Sequence, residues 1–300
     1  MSRLRRCAII QSLTGFGRVS SMVIIPTLSA MGIQVCPVPT AVLSTYTGSV
    51  FQEYSFADMT KTMEETFYHW SRIGLKMEGI YSGFLGSVEQ CKSVSAAVDA
   101  FRSEDTVVLI DPVMGDGGVF YESVSPEMAE RMREIVAKAD IVTPNFTELF
   151  LLLGRPFQPD ASEETLDDMI RELAALGPQK IVVTSFPAKK KETACCRVYD
   201  RGTFSTVEAR HAQGMYPGTG DLYAALLLGM VLNGQGFHEA AEFAAEKISR
   251  ILIEGQRMGE PIEDGVLLEA FLPEIGQSVD RDAIWIPGEK EGHPGKQRCI

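Results

Sequence analysis

The segment with the sharpest chemical content is Pro217-Gly218-Thr219-Gly220-Asp221, which opens an apolar run. Glycines at 218 and 220 let backbone N–H groups turn toward one point, and a helix N-terminus adds partial positive charge there. Together they form an anion site. Asp221 lies at its edge, where a carboxylate would repel a phosphate that was merely bound. It makes sense as a base that takes the proton of a hydroxyl attacking the phosphorus held in that site. A helix cap is the structural alternative.

Two further clusters have carboxylates or amides where strands should end. Asp111-Pro112-Val113-Met114-Gly115-Asp116-Gly117-Gly118 follows an apolar strand, and open α/β sheets bind ligands at that edge. Asp111 and Asp116 suit a hard cation such as Mg²⁺, which takes oxygen ligands and substrate phosphates. The glycines make Gly115–Ser125 a candidate lid. In Thr143-Pro144-Asn145-Phe146-Thr147-Glu148, Asn145 and Glu148 share one face of a first helical turn. That spacing also forms a capping box.

Positioning these groups requires alternating elements. Apolar runs at Cys7–Ile10, Gln34–Val38, Gly79–Ser82, Val107–Asp111, Ile141–Thr143 and Ile181–Thr184 predict strands. Helical patterns at Val19–Met31, Ala57–Lys76, Val88–Phe101, Pro126–Lys138 and Glu163–Leu176 lie between them. Such alternation predicts an α/β fold with a mostly parallel sheet. Cys195–Tyr199 and Thr203–Val207 then read as a hairpin about Asp200-Arg201-Gly202. Helices follow over Asp221–Val231, apolar on nearly every face, and Glu239–Glu254. Residues 1–275 are expected to form one domain and 276–300 a flexible tail.

The chain of 300 residues carries 28 Lys and Arg against 40 Asp and Glu, a net charge of −12, which argues against nucleic acid or an anionic membrane as partner. Residues 1–52 contain Arg3, Arg5, Arg6 and Arg18 but no acid, and the first lysine is Lys61. Either carboxylates are unwelcome beside the ligand this segment holds, or the first strand and helix are simply buried. The longest apolar run, Leu222–Leu232, is too short to span a membrane, and a cytoplasmic protein is expected. Six cysteines without metal-ligand spacing read as reduced thiols, with Cys7 and Cys36 in the core.

The order Asp111-Pro112-Val113-Met114-Gly115, Asn145-x-x-Glu148 and Gly218-Thr219-Gly220-Asp221 resembles the ribokinase-like (PfkB) sugar and vitamin kinases. Within them the chain looks like a pyridoxal kinase, most closely one of the bacterial pyridoxamine kinase branch, through Ile10-Gln11-Ser12, the stretch from Pro39 to Gly48, and Ser82-Gly83-Phe84-Leu85-Gly86-Ser87. The likeness spans about residues 5–272. It implies a three-layer α/β/α sandwich and ATP-dependent phosphorylation of the 5′-hydroxyl of pyridoxal, pyridoxamine or pyridoxine. Asp221 would be the base, with Gly218, Thr219 and Gly220 forming the anion hole. Asp111 and Glu148 would act around Mg²⁺, directly or through water, while Thr143, Asn145, Thr184 and Ser185 contact the ATP phosphates and Asp116 lies nearby. Ser12, Val19, Leu43, Thr47 and Phe84 would line the pyridine pocket. Many relatives carry an aromatic residue at position 43 and Tyr at 84, which leaves the preferred vitamer open. A homodimer is implied; dependence on a monovalent cation such as K⁺ is left open.

Other readings fare worse. Gly15-Phe16-Gly17 lacks the third glycine of a dinucleotide fingerprint, and no GxxxxGK[ST] segment occurs. A hydroxymethylpyrimidine kinase of thiamin synthesis shares the fold, but several of its relatives have Cys where Asp221 stands. A non-catalytic vitamin-binding protein would need neither Asp221 nor the metal carboxylates.

Overall fold

Along the strand Arg6–Phe16 the side chains alternate between two cores: Cys7 and Ile9 enter one, Ala8 and Ile10 the other. A strand buried on both faces must lie inside a sheet covered on both sides. In the computed structural model, which describes residues 3–47, 51, 53–280 and 285–286, that sheet has nine strands. Their order is Thr203–Arg210, Thr193–Asp200, Lys180–Phe186, Ile141–Val142, Val107–Ile110, Gly79–Ser82, Arg6–Phe16, Gln34–Thr45 and Phe56–Asp58. The strands from Lys180–Phe186 to Gln34–Thr45 are parallel. The hairpin at one edge and Phe56–Asp58 at the other are antiparallel.

Helices Ser21–Ala30, Thr219–Leu232, Phe237–Met258 and Leu272–Gln277 share the core that contains Cys7 and Ile9. On the opposite face lie Thr60–Arg72, Val88–Phe101, Pro126–Val136, Phe146–Leu152 and Glu163–Ala175. The result is the expected three-layer α/β/α arrangement. Helix Thr219–Leu232 is buried almost all round, as its composition predicts, with Leu222, Ala224, Ala225, Leu226, Leu227 and Leu228 all inaccessible. Each buried leucine contributes about 1.5–3 kcal/mol of transfer free energy, so this helix is held rigidly where it carries Asp221. Gly229 lets it approach helix Ser21–Ala30, because a Cβ there would run into Met31.

Three local expectations need correction. The helix expected from Ala57 begins only at Thr60, since Phe56–Asp58 pairs with Ala41–Leu43 as an edge strand. The strand from Gln34 continues to Thr45, carrying Leu43 to the sheet's ligand edge. Cys36 is half-buried, whereas Cys7 is in the core as expected. The acid-free start is largely buried strand and helix, and its Arg18 is tied to Glu260 at 3.3 Å and Glu269 at 2.8 Å. Ile275 is fully buried. Of the expected tail, Trp285–Ile286 pairs with Arg3–Leu4, and residues 281–284 and 287–300 lie outside the described residues. So does Cys299; the other five cysteines are free thiols.

Candidate active site

The strand ends and the start of helix Thr219–Leu232 enclose a cavity of about 770 Å³. Every site residue expected from the sequence lies in its wall: Gly218, Thr219, Gly220 and Asp221; Asp111, Asp116, Thr143, Asn145, Glu148, Thr184 and Ser185; and Ser12, Val19, Leu43, Thr47 and Phe84. These come from sequence positions 200 residues apart, joined by the parallel strand order.

Gly218 caps the helix with φ +82°, and a Cβ there would strike the carbonyl oxygen of Arg18. A Cβ on Gly220 would meet nothing, because it points into open space. The first N–H groups of a helix have no intrahelical acceptor; here the Thr219 N–H donates to the Tyr216 carbonyl at 3.4 Å, and the Gly220 and Asp221 N–H groups are the turn's candidate donors. Asp221 is held from both sides. Its Oδ2 accepts the Ser20 N–H at 2.8 Å, and its Oδ1 accepts from Gln11 Nε2 at 3.0 Å. Burial pushes its carboxyl pKa up, while those two donors pull it back. Ser20 has φ +54°, an uncommon value for a residue with a side chain, and Ser12 Oγ donates to its hydroxyl at 2.9 Å.

Asp111 follows strand Val107–Ile110 and is buried. Thr143 Oγ1 donates to its Oδ1 at 3.0 Å and the Tyr81 hydroxyl to its Oδ2 at 3.3 Å. Burial first, then the Asp221 charge, raises its pKa to about 7. Glu148 and Asn145 do form a capping box: Asn145 Oδ1 accepts the Glu148 N–H and Glu148 Oε2 accepts the Asn145 N–H, each at 2.8 Å. Yet Glu148 is also buried, takes the Met114 N–H on Oε1, and has its pKa raised well above the usual range by burial and by Asp111. The capping box and the position on the cavity wall are therefore both held by one pair. Asn145 Nδ2 donates to the Gly115 carbonyl, tying this helix start to the Asp116 loop.

The Asp221 charge raises the cost of ionising Asp111, and the Asp111 charge does the same for Glu148, a setting that a divalent cation relieves. Among the described residues no three acidic, His or Cys side chains make a ready metal cage. Mg²⁺ fits such a site because it takes one or two carboxylates and completes its shell with water and substrate phosphates. The cavity's Lys and Arg content, among described residues, is Arg210 alone. Ser185, on the irregular end of Lys180–Phe186, has φ +52°, and strained backbone of this kind clusters at ligand sites.

At one end Leu43 and Phe84 pack with Ala41 and Val113 into a small apolar wall, next to Ser12, Val19 and Thr47. At the other end Ala194, Cys196, Ala209, Tyr223, Ile248 and Leu252 form a second apolar stretch. Sequence reading missed this second stretch, whose residues resemble ordinary core. It also missed Ser20 and Tyr81, and gave Gln11 no role. A glutamine directly after the apolar run Cys7–Ile10 was the available signal for Gln11.

A mostly parallel α/β sheet covered on both faces thus carries, at its ligand edge, a carboxylate in a glycine-capped helix turn. The chain belongs to the phosphomethylpyrimidine kinase family, whose profile matches residues 25–264. It is 30% identical over 275 residues to the pyridoxal kinase PdxY of Pseudomonas putida strain GB-1, an alignment covering 85% of this chain and 90% of that one. A Bacteroides thetaiotaomicron protein assigned to the phosphomethylpyrimidine kinases and crystallised with pyridoxal is 34% identical. It superposes with a TM-score of 0.85 over 95% of this chain and 99% of its own. The pyridoxal kinase of Lactobacillus plantarum is 27% identical, with a TM-score of 0.83 over 91% of this chain and 97% of its own.

Proposed function

We propose that this chain is an ATP-dependent kinase that phosphorylates the 5′-hydroxyl of a B6 vitamer, pyridoxal, pyridoxamine or pyridoxine. The observation that carries the reading is Asp221, a carboxylate braced on both oxygens inside a phosphate-type helix turn and sharing one cavity with the Ser12, Leu43 and Phe84 pocket. The pyridoxal kinase names of the relatives, and pyridoxal in the Bacteroides crystal, support the vitamer as acceptor.

In this reading the pyridine ring lies against Leu43 and Phe84, with Ser12, Val19 and Thr47 around it. Asp221 accepts the 5′-hydroxyl proton as that oxygen attacks the γ-phosphorus in line, and the oxygen–phosphorus bond to ADP breaks. N–H groups of the turn Gly218-Thr219-Gly220 face the charge that develops on the equatorial oxygens. Thr143, Asn145, Thr184 and Ser185 line the path of the phosphate chain, with Asp116 at its rim, and the apolar stretch around Tyr223 and Leu252 takes the nucleoside. Asp111 and Glu148 would hold Mg²⁺, which supplies charge neutralisation of the polyphosphate. The N–H groups that Glu148 accepts favour a contact through water on its side.

Residues 1–275 act as one catalytic unit, and dependence on cellular ATP fits a cytoplasmic location. Among the described residues no helix is long and apolar enough to cross a membrane. A homodimer fits the apolar rim beside the edge strand, where Phe16, Val42, Tyr54 and Phe56 are exposed. Hydroxymethylpyrimidine is the alternative acceptor, given the family's name. Initial rates with saturating Mg·ATP and varied acceptor decide between them: kcat/KM is expected to be higher for a B6 vitamer, and the reverse order would favour the pyrimidine.

A further inference from the structure

Gln11 lies within the buried part of strand Arg6–Phe16, at an irregularity in its pairing with Gln34–Thr45. Irregular pairing of this kind re-aims a side chain. Its amide makes three hydrogen bonds. Oε1 accepts the Ser12 N–H at 2.8 Å and the Phe84 N–H at 2.9 Å; Nε2 donates to Asp221 Oδ1 at 3.0 Å. The two backbone donors fix which way the amide faces, because turning it over would set NH₂ against two N–H groups and an oxygen against a carboxylate. Gly83 makes the room: a Cβ at that position would collide with the Gln11 amide nitrogen.

We infer that Gln11 is the positioning residue for Asp221, and that Gly83 serves the reaction by leaving space for the Gln11 amide. The inference rests on the reading of Asp221 as the base. Ser12 and Phe84 belong to the acceptor pocket, so one side chain ties the pocket's backbone to the carboxylate that must meet the acceptor's hydroxyl. With Ser20 N–H on the other oxygen, Asp221 keeps one orientation and a free lone pair for the incoming proton. A reacting group displaced by about 1 Å loses on the order of 100-fold in rate.

The test compares wild type with Gln11→Leu, Gln11→Glu and Gly83→Ala by steady-state kinetics. Gln11→Leu and Gly83→Ala are expected to lower kcat by about 10- to 100-fold, with KM for ATP within about threefold of wild type and any rise in acceptor KM smaller than the loss in kcat. In Gln11→Glu, Oε1 still accepts both N–H groups but the second oxygen confronts Asp221. One proton is then shared, and the acidic limb of kcat moves to higher pH. Asp111, Tyr81 and Tyr121 are the other titratable groups whose charge is coupled to Asp221, and they are unchanged in all three variants. Unchanged kcat in Gln11→Leu and Gly83→Ala, or a loss confined to KM, would overturn the inference, as would an acidic limb in Gln11→Glu that stays in place. Should wild type prove active on hydroxymethylpyrimidine and not on a vitamer, the vitamer reading fails, and the same comparison with the pyrimidine still decides the role of Gln11.

Discussion

Tyr81, wholly inaccessible in the middle of the sheet, donates its phenolic hydrogen to Asp111 Oδ2, and Thr143 donates to the other oxygen of the same carboxylate. Two neutral hydroxyls thus face this buried acid. Burial therefore dominates: Asp111 is pushed up to about 7, and burial first, then the Asp111 and Asp221 charges, raises the Tyr81 phenol.

Asp111 makes a distinct contribution to the pH dependence of stability, beside those of Glu148 and Asp221, whose carboxyls burial also raises. Between its ordinary value of 3.8 and about 7, the folded chain holds a proton that the unfolded chain has released. The stability contributed by this group is present at low pH, is lost as pH rises through that window, and is flat above it. At full effect it is on the order of 4 kcal/mol. In thermal melts without nucleotide, Asp111→Asn should melt higher than wild type above pH 7 and converge with it near pH 4. Melting curves that differ by the same amount at every pH would contradict this.

Asp221→Asn keeps the shape of the helix turn but removes the proton acceptor. Turnover should fall by about 10²- to 10⁴-fold, while vitamer binding by calorimetry stays within a few-fold. Lost binding with the residual turnover rate preserved would assign Asp221 to substrate recognition instead.

Gly218 and Gly220 should respond differently to alanine. At 218 the φ of +82° and the Arg18 carbonyl both oppose a side chain, so Gly218→Ala should cost about 1–3 kcal/mol or more in denaturant unfolding and also lower activity. Gly220 is helical and its Cβ would enter open space in the cavity. Gly220→Ala should therefore fold as well as wild type while losing kcat/KM for ATP. An unchanged kcat/KM for ATP in Gly220→Ala would argue against a phosphate at this turn.

The loop Gly115–Ser125 bears the exposed Val119, Phe120 and Tyr121, and its Asp116 and Tyr121 reach the cavity. As a lid over the nucleotide, it should become resistant to limited proteolysis on adding Mg·ATP with a vitamer. An unchanged cleavage rate there would remove the lid from the account.

Much of this architecture was legible in the sequence because local pattern and global fold agree. Gly79–Ser82 and Val88–Phe101 have the boundaries expected, since apolar runs and the Ser87 cap mark them. Two of the motifs follow strand ends, which is where parallel sheets gather their ligands, and the third opens helix Thr219–Leu232 beside them. What stayed hidden depends on long-range contacts. Nothing local in Phe56-Ala57-Asp58 announces an edge strand, as pairing with Ala41–Leu43 overrides the helical pattern around it. Ser20 acquires its role only through a left-handed φ and a bond to a residue 201 positions away. Tyr81 reads as core and is core, apart from one hydroxyl.

The central claim concerns the acceptor, and product identification tests it most directly. The purified protein is incubated with Mg·ATP and, separately, pyridoxal, pyridoxamine, pyridoxine and hydroxymethylpyrimidine, and the products are separated by anion-exchange chromatography, with Asp221→Asn as the control. The account predicts a 5′-phosphorylated vitamer and stoichiometric ADP with wild type, both nearly lost in the variant. Phosphorylation of hydroxymethylpyrimidine with none of the three vitamers would contradict it.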